Sequence, residues 1–316
     1  MVKLIQEKGW TESVDLVEGG HTTVFFTDSE LEAVKADFEV AMDAGVDLKA
    51  TQWMSKDNMK LFGGHNLWPL KFVTHLYRLA KETTGSFDLS IHTHTPVMSI
   101  YSSSSPCRWA VQTHCGVLNC SYVIHATNVR DNTHLCQVMA TRATASAEDI
   151  GKCSWDRNKG FEYWFPRPVI GVEKPLIIVG GGREVSWPGF EYYQTDDSIV
   201  NHQVGDTLRK FLPSAFPGVF EKDQQPEEEW TGIMGYIKLQ DPFVSPVTRN
   251  SDARVGTFAG QYISAGYSGH GMPRAFACAE IIASMIVANM SRAKWQPPKW
   301  FPDRFLMSAR DAKTGL

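Results

Sequence analysis

The chain has 316 residues, of which 31 are Lys or Arg and 35 are Asp or Glu, so its formal net charge at pH 7 is −4. Hydrophobic residues make up 43% and charged residues 21%, a composition that is typical of globular proteins and excludes a disordered or fibrous chain. The small negative charge argues against nucleic acid or an anionic membrane as the main partner, since both normally need a basic surface. The length allows two domains or one large one.

No stretch reaches the roughly 18 uninterrupted apolar residues of a membrane span. The best candidate, Phe276–Met290, contains Glu280. The N-terminal segment Met1–Trp10 is too polar for a secretory signal. These observations predict a cytoplasmic protein without a membrane span, and the sequence carries no signature of an oligomeric state.

Strand and helix signals alternate along the first part of the chain. The apolar run Val24–Phe26 predicts a strand, and the spacing of Ser29 and Glu32 predicts the capping box of a helix that ends at Gly45. Pro69 predicts the first position of a second helix.

Short strands dominate the middle of the chain, with predicted strands at 161–165 and 176–179. Helices are predicted at about 196–211 and from Pro273 to about Met290. The order of the elements is that of a mixed α/β protein.

Neither the cysteines nor the histidines predict a metal site or a disulfide framework. His92 and His94 have a metal-ligand spacing on one face of a candidate strand, but no third ligand is suggested. The six cysteines include no Cys-x-x-Cys pair and are predicted to be reduced thiols. They are Cys107, Cys115, Cys120, Cys136, Cys153 and Cys278.

Gly180–Gly182 follows the apolar strand Leu176–Val179, where a dinucleotide fingerprint would lie. Counting Gly-x-Gly-x-x-Gly from Gly180 puts Val185 at the last position, and Trp187–Gly189 blocks the helix that must follow. We therefore interpret these glycines as a strand that ends in a tight turn.

A second glycine-rich segment, Gly266–Pro273, lies between a predicted strand and the last long helix. Its glycines permit close backbone approach, and the unpaired N–H groups of the helix start stabilise negative charge on a neighbouring group. The spacing alone leaves two readings open, namely an ordinary glycine-rich start of a helix or a contact with a phosphate or a reduced flavin.

The segment Gly266–Ala275, with Cys278–Glu280 on the following helix, resembles the C-terminal signature of FAD-dependent oxidoreductases of the D-amino-acid oxidase/sarcosine oxidase type, in particular fungal ones. Weaker matches in the family's order extend this resemblance from about Glu12 to Arg310. They include Trp68-Pro69, Thr95–Val97, His125–Asn128, Phe165–Pro168, Glu229–Gly235 and Trp300–Pro302.

The resemblance implies FAD as cofactor and assigns residues to it. In the family, the backbone at the position of Val97 meets the adenine, and a turn matching Ala126 and Thr127 passes near the FAD. The glycine-rich loop would contact the flavin through Ser268, Gly269, His270, Gly271 and Met272.

The chain also departs from the family pattern. Members normally open with a strand, a Gly-x-Gly-x-x-Gly turn and a helix that binds the FAD pyrophosphate, whereas Met1–Val14 holds a single glycine, Gly9. The segments at Phe62–His65 and Val129–Cys136 look shortened as well. The resemblance therefore implies a truncated unit: a partial FAD-binding domain at about 15–145 and 240–316, with an inserted antiparallel-sheet substrate domain at about 146–239.

The implied activity is oxidation of the C–N bond of an amine or amino acid by hydride transfer to flavin, with oxygen as the expected acceptor. No catalytic residue is predicted. The candidate substrate residues are Trp164, Arg167, Arg183 and Tyr236, because they lie on presumed substrate-domain strands and a carboxylate favours an arginine fork. The alternative is a non-catalytic remnant or binding module that keeps the substrate-domain fold without FAD.

Overall fold

A computed structural model describes residues 1–55, 58–83, 88–104, 106–128, 133–157, 161–169, 171, 173–186, 189, 191–248 and 257–314, with backbone alone for 311–314. The chain forms two compact units. Unit 1 comprises residues 1, 78–133 and 234–316, and unit 2 comprises residues 2–77 and 134–233. Of the predicted elements and segments, parts of Val129–Cys136 and Trp187–Gly189 lie outside the described residues.

The described α-helices are Val2–Glu7 (α1), Asp28–Asp43 (α2), Pro69–Glu82 (α3), Ala147–Ile150 (α4), His202–Ala215 (α5), Gly271–Met290 (α6) and Met307–Thr314 (α7). The described strands are Val17–Glu18 (β1), His21–Val24 (β2), Thr51–Ser55 (β3), Asn58–Leu61 (β4), His65–Asn66 (β5), Val97–Ser102 (β6), Trp109–Thr113 (β7), Gly116–Cys120 (β8), Val123–His125 (β9), Thr133–Arg142 (β10), Ser154–Arg157 (β11), Glu162–Pro166 (β12), Leu176–Gly180 (β13), Glu228–Gly235 (β14), Phe243–Pro246 (β15) and Gln261–Ala265 (β16).

Two helix starts differ from the sequence prediction. Helix α2 is capped by Thr27, whose side chain accepts from the Glu30 N–H while the Glu30 carboxylate accepts from the Thr27 N–H. This capping box lies two residues before the predicted pair, Ser29 and Glu32. Helix α5 starts after Asn201, whose side chain accepts from the Gln203 N–H, and not near residue 196. Helix α3 begins at Pro69 as predicted.

Unit 2 is built on an eight-stranded sheet in the order β14-β10-β13-β12-β11-β2-β4-β3. Strands β10, β13, β12 and β11 pair antiparallel, and β11 pairs parallel with β2. Because side chains alternate along a strand, paired residues divide the sheet into two faces. Trp164, Val179 and Met139 share one face, and Tyr163, Gly180 and Val138 share the other.

The first of these faces forms the core of unit 2 against helix α5, and we call it the α5 face. Met139, Trp164 and Val179 pack there with Leu208 and Leu212 of the helix, all of them buried. Burial of large apolar side chains of this kind contributes about 1.5–3 kcal/mol each. The opposite face, on which Tyr163, Phe165 and Ile178 are half-buried, we call the cavity face.

Unit 1 contains two three-stranded sheets, ordered β15-β16-β9 and β6-β7-β8. Strands β16 and β9 pair in parallel, with Ile263 opposite His125, while β15 and β16 pair antiparallel. Helix α6 covers the first of these sheets with an apolar stripe of Cys278, Ile281, Ile282 and Met285. Because β9 and β16 are parallel, the loops that follow them, after His125 and after Ala265, begin at the same edge of the sheet.

Two further findings concern the cysteines and helix α6. All six cysteines are free thiols, as the sequence predicts. Within the described part of the chain, α6 is the one helix that is long and apolar enough to cross a membrane, judged by length and composition alone.

Candidate functional site

Two of the predicted cofactor segments meet at one edge of the unit 1 sheet. Ala126 and Thr127 directly follow β9, and the loop from Gly266 directly follows β16. Because the two strands are parallel and in register, their carboxyl ends lie at the same edge. In open sheets with parallel strands, ligands bind outside this edge. Val97 lies elsewhere, at the start of β6 in the other sheet.

The loop after β16 is held by backbone geometry and by one buried hydroxyl. Gly266, Ser268 and Gly269 all have positive φ, at 78°, 51° and 79°. The Ser268 N–H donates to the Gly235 carbonyl at 3.0 Å, and the Ser268 hydroxyl accepts from the Ile237 N–H at 3.2 Å. Since Ser268 is 3% exposed and makes both of these hydrogen bonds, it positions the loop.

The loop leads into the uncapped N-terminus of helix α6. His270 occupies the N-cap position without a side-chain hydrogen bond to the first turn, and its Nδ1 donates to the Ser268 carbonyl at 2.9 Å. The helix starts at Gly271, so that Pro273 is its third residue and not its first. The N–H groups of Gly271 and Met272 are therefore among the unsatisfied donors that stabilise negative charge at a helix start.

The charge of this loop also favours an anionic group. Residues 266–275 include Arg274 but no Asp or Glu. Burial raises the pKa of Tyr267 to about 12, so its phenol stays neutral and pairs with the Ser264 hydroxyl at 2.7 Å. Tyr236 packs against Gly269, where an added Cβ would lie 3.1 Å from the tyrosine oxygen. The predicted substrate residue Tyr236 thus belongs to the wall of this loop.

The second cluster lies in unit 2, beside the turn that ends β13. Arg183 donates from Nη1 to Nδ1 of His134 at 3.3 Å, and its guanidinium lies 4.5 Å from the Phe161 ring centroid. The His134 ring contacts the ring of Tyr192 at 4.2 Å between centroids. These residues combine one guanidinium with three aromatic or imidazole rings.

His134 is neutral at physiological pH. It is 7% exposed, and burial, with the Arg183 charge as a second cause, lowers its pKa to about 4. Because Arg183 donates to Nδ1, the proton of the neutral ring lies on Nε2. Nearby, the Tyr163 hydroxyl pairs with Cys136 Sγ at 3.4 Å, and burial raises the pKa of that thiol. The cluster therefore brings the Arg183 guanidinium together with a neutral imidazole and a neutral thiol.

Arg167 lies apart from Arg183. It follows β12 whereas Arg183 follows β13, and because these strands are antiparallel the two arginines lie at opposite ends of the sheet. Arg167 Nη2 donates to Asp15 Oδ2 at 2.6 Å, and Lys71 Nζ donates to Asp15 Oδ1 at 2.9 Å. Arg167 and Lys71 both lie over the ring of Trp68, at 4.0 and 4.6 Å from its centroid.

Trp164, the fourth predicted substrate residue, is in the core on the α5 face. It is 5% exposed and contacts the rings of Trp155 and Phe211. Within unit 2, the predicted substrate residues Trp164, Arg167 and Arg183 therefore occupy three places that are not brought together, namely the core and the two ends of the sheet.

Sequence reasoning missed several residues of these clusters, namely Asp15, His134, Tyr163 and Tyr192. The alternation in Phe161–Phe165 would have separated Tyr163 from Trp164, since neighbouring strand residues face opposite sides. No local signal identifies Asp15, because its partner Arg167 is 152 residues away in the chain. Among the described residues, no group of His, Cys, Asp and Glu could hold a metal ion.

Comparison with known proteins identifies one matching family and several solved structures with a similar fold. The family model for FAD dependent oxidoreductases (DAO) matches residues 3–285. No curated protein sequence matches the chain at a significant level.

Solved structures resemble the chain over nearly its whole length at low sequence identity. Glycine oxidase from Geobacillus kaustophilus is 14% identical with a TM-score of 0.68, covering 97% of this chain and 80% of its own. Iminodiacetate oxidase from Chelativorans sp. BNC1 is 12% identical with a TM-score of 0.66, covering 96% and 80%. L-Amino acid deaminase from Proteus myxofaciens, in complex with anthranilate, is 14% identical with a TM-score of 0.66, covering 98% and 78%.

Proposed function

The chain belongs to the family of FAD-dependent oxidoreductases, whose cofactor is FAD, and from this premise we propose that it oxidises the C–N bond of an amino acid or amine. The match over residues 3–285 carries the proposal. Glycine oxidase, iminodiacetate oxidase and L-amino acid deaminase, which share the fold, favour a small amino acid as substrate. When bound, FAD would accept a hydride from the carbon next to the amine, and oxygen is the proposed electron acceptor.

The loop of unit 1 fits the flavin end of FAD. Its helix start offers backbone N–H donors without a side-chain cap, and Gly271 leaves open space, since an added Cβ would meet nothing closer than Tyr267 at 3.7 Å. These donors would stabilise negative charge on the pyrimidine edge of the flavin. Ser268 would hold the loop, His270 would face the cofactor, and Ala126 and Thr127 would lie at the same sheet edge.

For the substrate carboxylate we propose Arg183. Its guanidinium contacts the His134 imidazole and the Phe161 ring in a half-buried place. Such an arginine binds a carboxylate through paired N–H donors. His134 would orient the guanidinium, and Tyr192 would pack beside it.

A second function, ligand binding without FAD, is favoured by one observation. The pattern Gly-x-Gly-x-x-Gly, which holds the pyrophosphate in dinucleotide-binding turns, does not occur in the 316 residues. Gly180–Gly182 does not replace it, because Gly181 and Gly182 have φ of 129° and 69° and lead into a short 3-10 segment, Arg183–Ser186.

The assignment of residues 146–239 to a substrate domain and the cytoplasmic location remain predictions.

The experiment that separates the two functions is reconstitution of the purified chain with FAD. If the chain is an enzyme, the reconstituted protein should show the absorbance of one bound flavin per chain. In the absence of oxygen, an amino acid should bleach this absorbance. Hydrogen peroxide should form when oxygen is readmitted. A chain that takes up no FAD but still binds amino acids in a titration contradicts the enzyme and supports the binding module.

The role of Arg183 is tested with a pair of small substrates that differ in the carboxylate, such as alanine and ethylamine. Arg183→Met should raise KM for the amino acid at least tenfold and leave KM for the amine within about twofold. Arg142→Met is the matched control, because Arg142 pairs with Glu227 at 2.7 Å on the rim of the same sheet. Equal effects of Arg183→Met on both substrates would contradict the assignment.

A further inference from the structure

A cavity of about 360 Å³ lies in unit 2, on the cavity face near the end of β12. Its walls are mostly apolar, with Phe165 and Ile178 from the sheet, Trp230 from β14, and Leu67 and Trp68 from the segment before α3. A volume at the low end of the usual range for ligand pockets suits a small molecule with one ring or a short aliphatic body.

The polar end of this cavity carries an excess of positive charge. Asp15 lines the cavity together with Arg167, and its carboxylate is shared between Arg167 and Lys71. Two cations and one carboxylate leave a net charge of +1, and the Asp15 side chain is largely buried, at 13% exposure. A cationic ligand would therefore be repelled, while a single negative charge would complete the neutralisation.

Arg167 has donors left for such a charge. Its Nη2 is used by Asp15, and the stacking of its guanidinium on Trp68 fixes the plane of the group. Among the described residues, no acceptor is found for Nε or Nη1 of Arg167. A planar guanidinium held in this way is suited to a carboxylate, since the fork needs no further ordering before it binds.

A second polar group at the cavity also lacks a partner. Asn66 lines the cavity from β5, and its buried Nδ2 has no hydrogen-bond partner. An unsatisfied buried amide costs about 1–3 kcal/mol. A ligand acceptor in the cavity would remove this cost after rotation of the amide about χ2.

From this arrangement we propose that the cavity is a binding site for a small monocarboxylate with an apolar body. The carboxylate pairs with Arg167 beside the Asp15–Lys71 pair, and the body lies among Trp68, Phe165 and Trp230. This site is at the end of the sheet opposite Arg183, so it is distinct from the place proposed for the substrate carboxylate. It goes beyond oxidation and does not depend on bound FAD.

The test is calorimetric titration of the full chain, without added FAD, using 3-phenylpropionate as probe. Its primary amide is the neutral control, because the two molecules share a body and differ in the charge. The acid should bind in a 1:1 ratio, and the amide at least tenfold more weakly. Equal binding of acid and amide, or no binding of the acid, would overturn the proposal.

Variants locate the binding. Arg167→Gln should lower the affinity for 3-phenylpropionate at least tenfold. Ile178→Phe, which fills the cavity from the sheet, should abolish its binding. Arg142→Gln removes an ion-paired arginine from the same unit, outside the cavity, and should leave the dissociation constant unchanged. If Arg167→Gln does not fold, Ile178→Phe and the amide still decide. Binding that survives Ile178→Phe would place the ligand elsewhere and refute the site.

The outcome is independent of the proposed oxidase function. Because the titration uses flavin-free protein and measures heat, a chain that never takes up FAD can still bind the acid. Conversely, a chain that oxidises amino acids but gives no heat with 3-phenylpropionate would refute the cavity site and leave the oxidase intact.

Discussion

Two glycine-rich turns of this chain follow strands in the same way and serve opposite purposes. At Gly180–Gly182, a Cβ on Gly181 would collide with the Phe161 carbonyl oxygen, and one on Gly180 would lie 2.5 Å from the Tyr163 ring. At Gly266–Gly271, a Cβ on Gly271 would meet only an ordinary contact with Tyr267. Glycine allows the protein to pack against its own backbone in the first turn and leaves a helix start accessible in the second.

The largest effect that this comparison predicts is that of Gly181→Ala. The added methyl group has no room beside Phe161, and φ of 129° is a conformation that alanine avoids. The free energy of unfolding should fall by at least about 3 kcal/mol, measured by urea denaturation followed by tryptophan fluorescence.

Gly116→Ala is the matched control for the backbone conformation alone. Gly116 has φ of 133°, nearly that of Gly181, but nothing lies within 4 Å of its added Cβ. It should cost only about 1–2 kcal/mol. Equal losses for the two variants would mean that close packing contributes nothing at Gly181.

The next effect concerns pH, because the first turn leads to Arg183 and its partner His134. The pKa of His134 is about 4 in the folded chain and near 6.5 when unfolded. Between these values the unfolded chain binds more protons, so stability falls as the pH falls from about 6.5 to 4, by up to about 3 kcal/mol. Urea denaturation at several pH values measures this slope.

His134→Gln keeps an acceptor for Arg183 and removes the titrating ring, so the loss of stability between pH 6.5 and 4 should become smaller. His202→Gln, a change at an exposed histidine of the same unit, is the matched control for the loss of one imidazole. A slope that is the same with and without His134 would contradict its assignment as a buried neutral imidazole.

Much of the local structure could be predicted from sequence. The prediction failed where one sequence pattern was compatible with two different structures. Thr27 with Glu30, and Ser29 with Glu32, both have the spacing of a capping box, and the structure uses the first pair. Strand β10 was not predicted, because Thr133–Ala140 are buried on both faces and show no alternation of apolar and polar residues.

The candidate site also has a part that could be predicted from sequence and a part that could not. The Ser268–Met272 loop could be predicted, because a strand, a glycine turn and a helix follow one another within one segment. The pair of His134 and Arg183 could not, since these residues are 49 positions apart and meet only through the register of β10 and β13. Trp164 shows the limit of motif reasoning, as a residue type suited to a ligand site here fills the core.

A smaller effect should follow from Ser268→Ala in the second turn. The change leaves the Ile237 N–H without its acceptor, so stability should fall by about 1–2 kcal/mol in urea denaturation. Ser268→Gly loses the same hydrogen bond but relieves the positive φ of 51°, and should therefore cost less than alanine. A glycine variant that is no better than alanine would show that this conformation carries no strain.

The smallest change in stability is expected at the helix start itself. His270→Asn places a capping side chain before α6 but loses the hydrogen bond from Nδ1 to the Ser268 carbonyl. The balance should be a gain of about 0.5–1 kcal/mol at most, measured in urea without FAD. A loss of stability would mean that the His270 hydrogen bond outweighs the cap.

His270→Asp sharpens this result, because aspartate caps the same N–H groups and differs from asparagine by one negative charge. It should stabilise the flavin-free chain at least as well as asparagine, since an anion is favoured at a helix start. The same charge should weaken FAD, and the reduced flavin more strongly than the oxidised one, so the reduction potential should fall relative to His270→Asn. Equal FAD affinity and equal reduction potential in His270→Asn and His270→Asp would show that the Gly266–Gly271 turn does not face the flavin. The accessible N–H groups at the start of α6 would then serve a different anionic ligand.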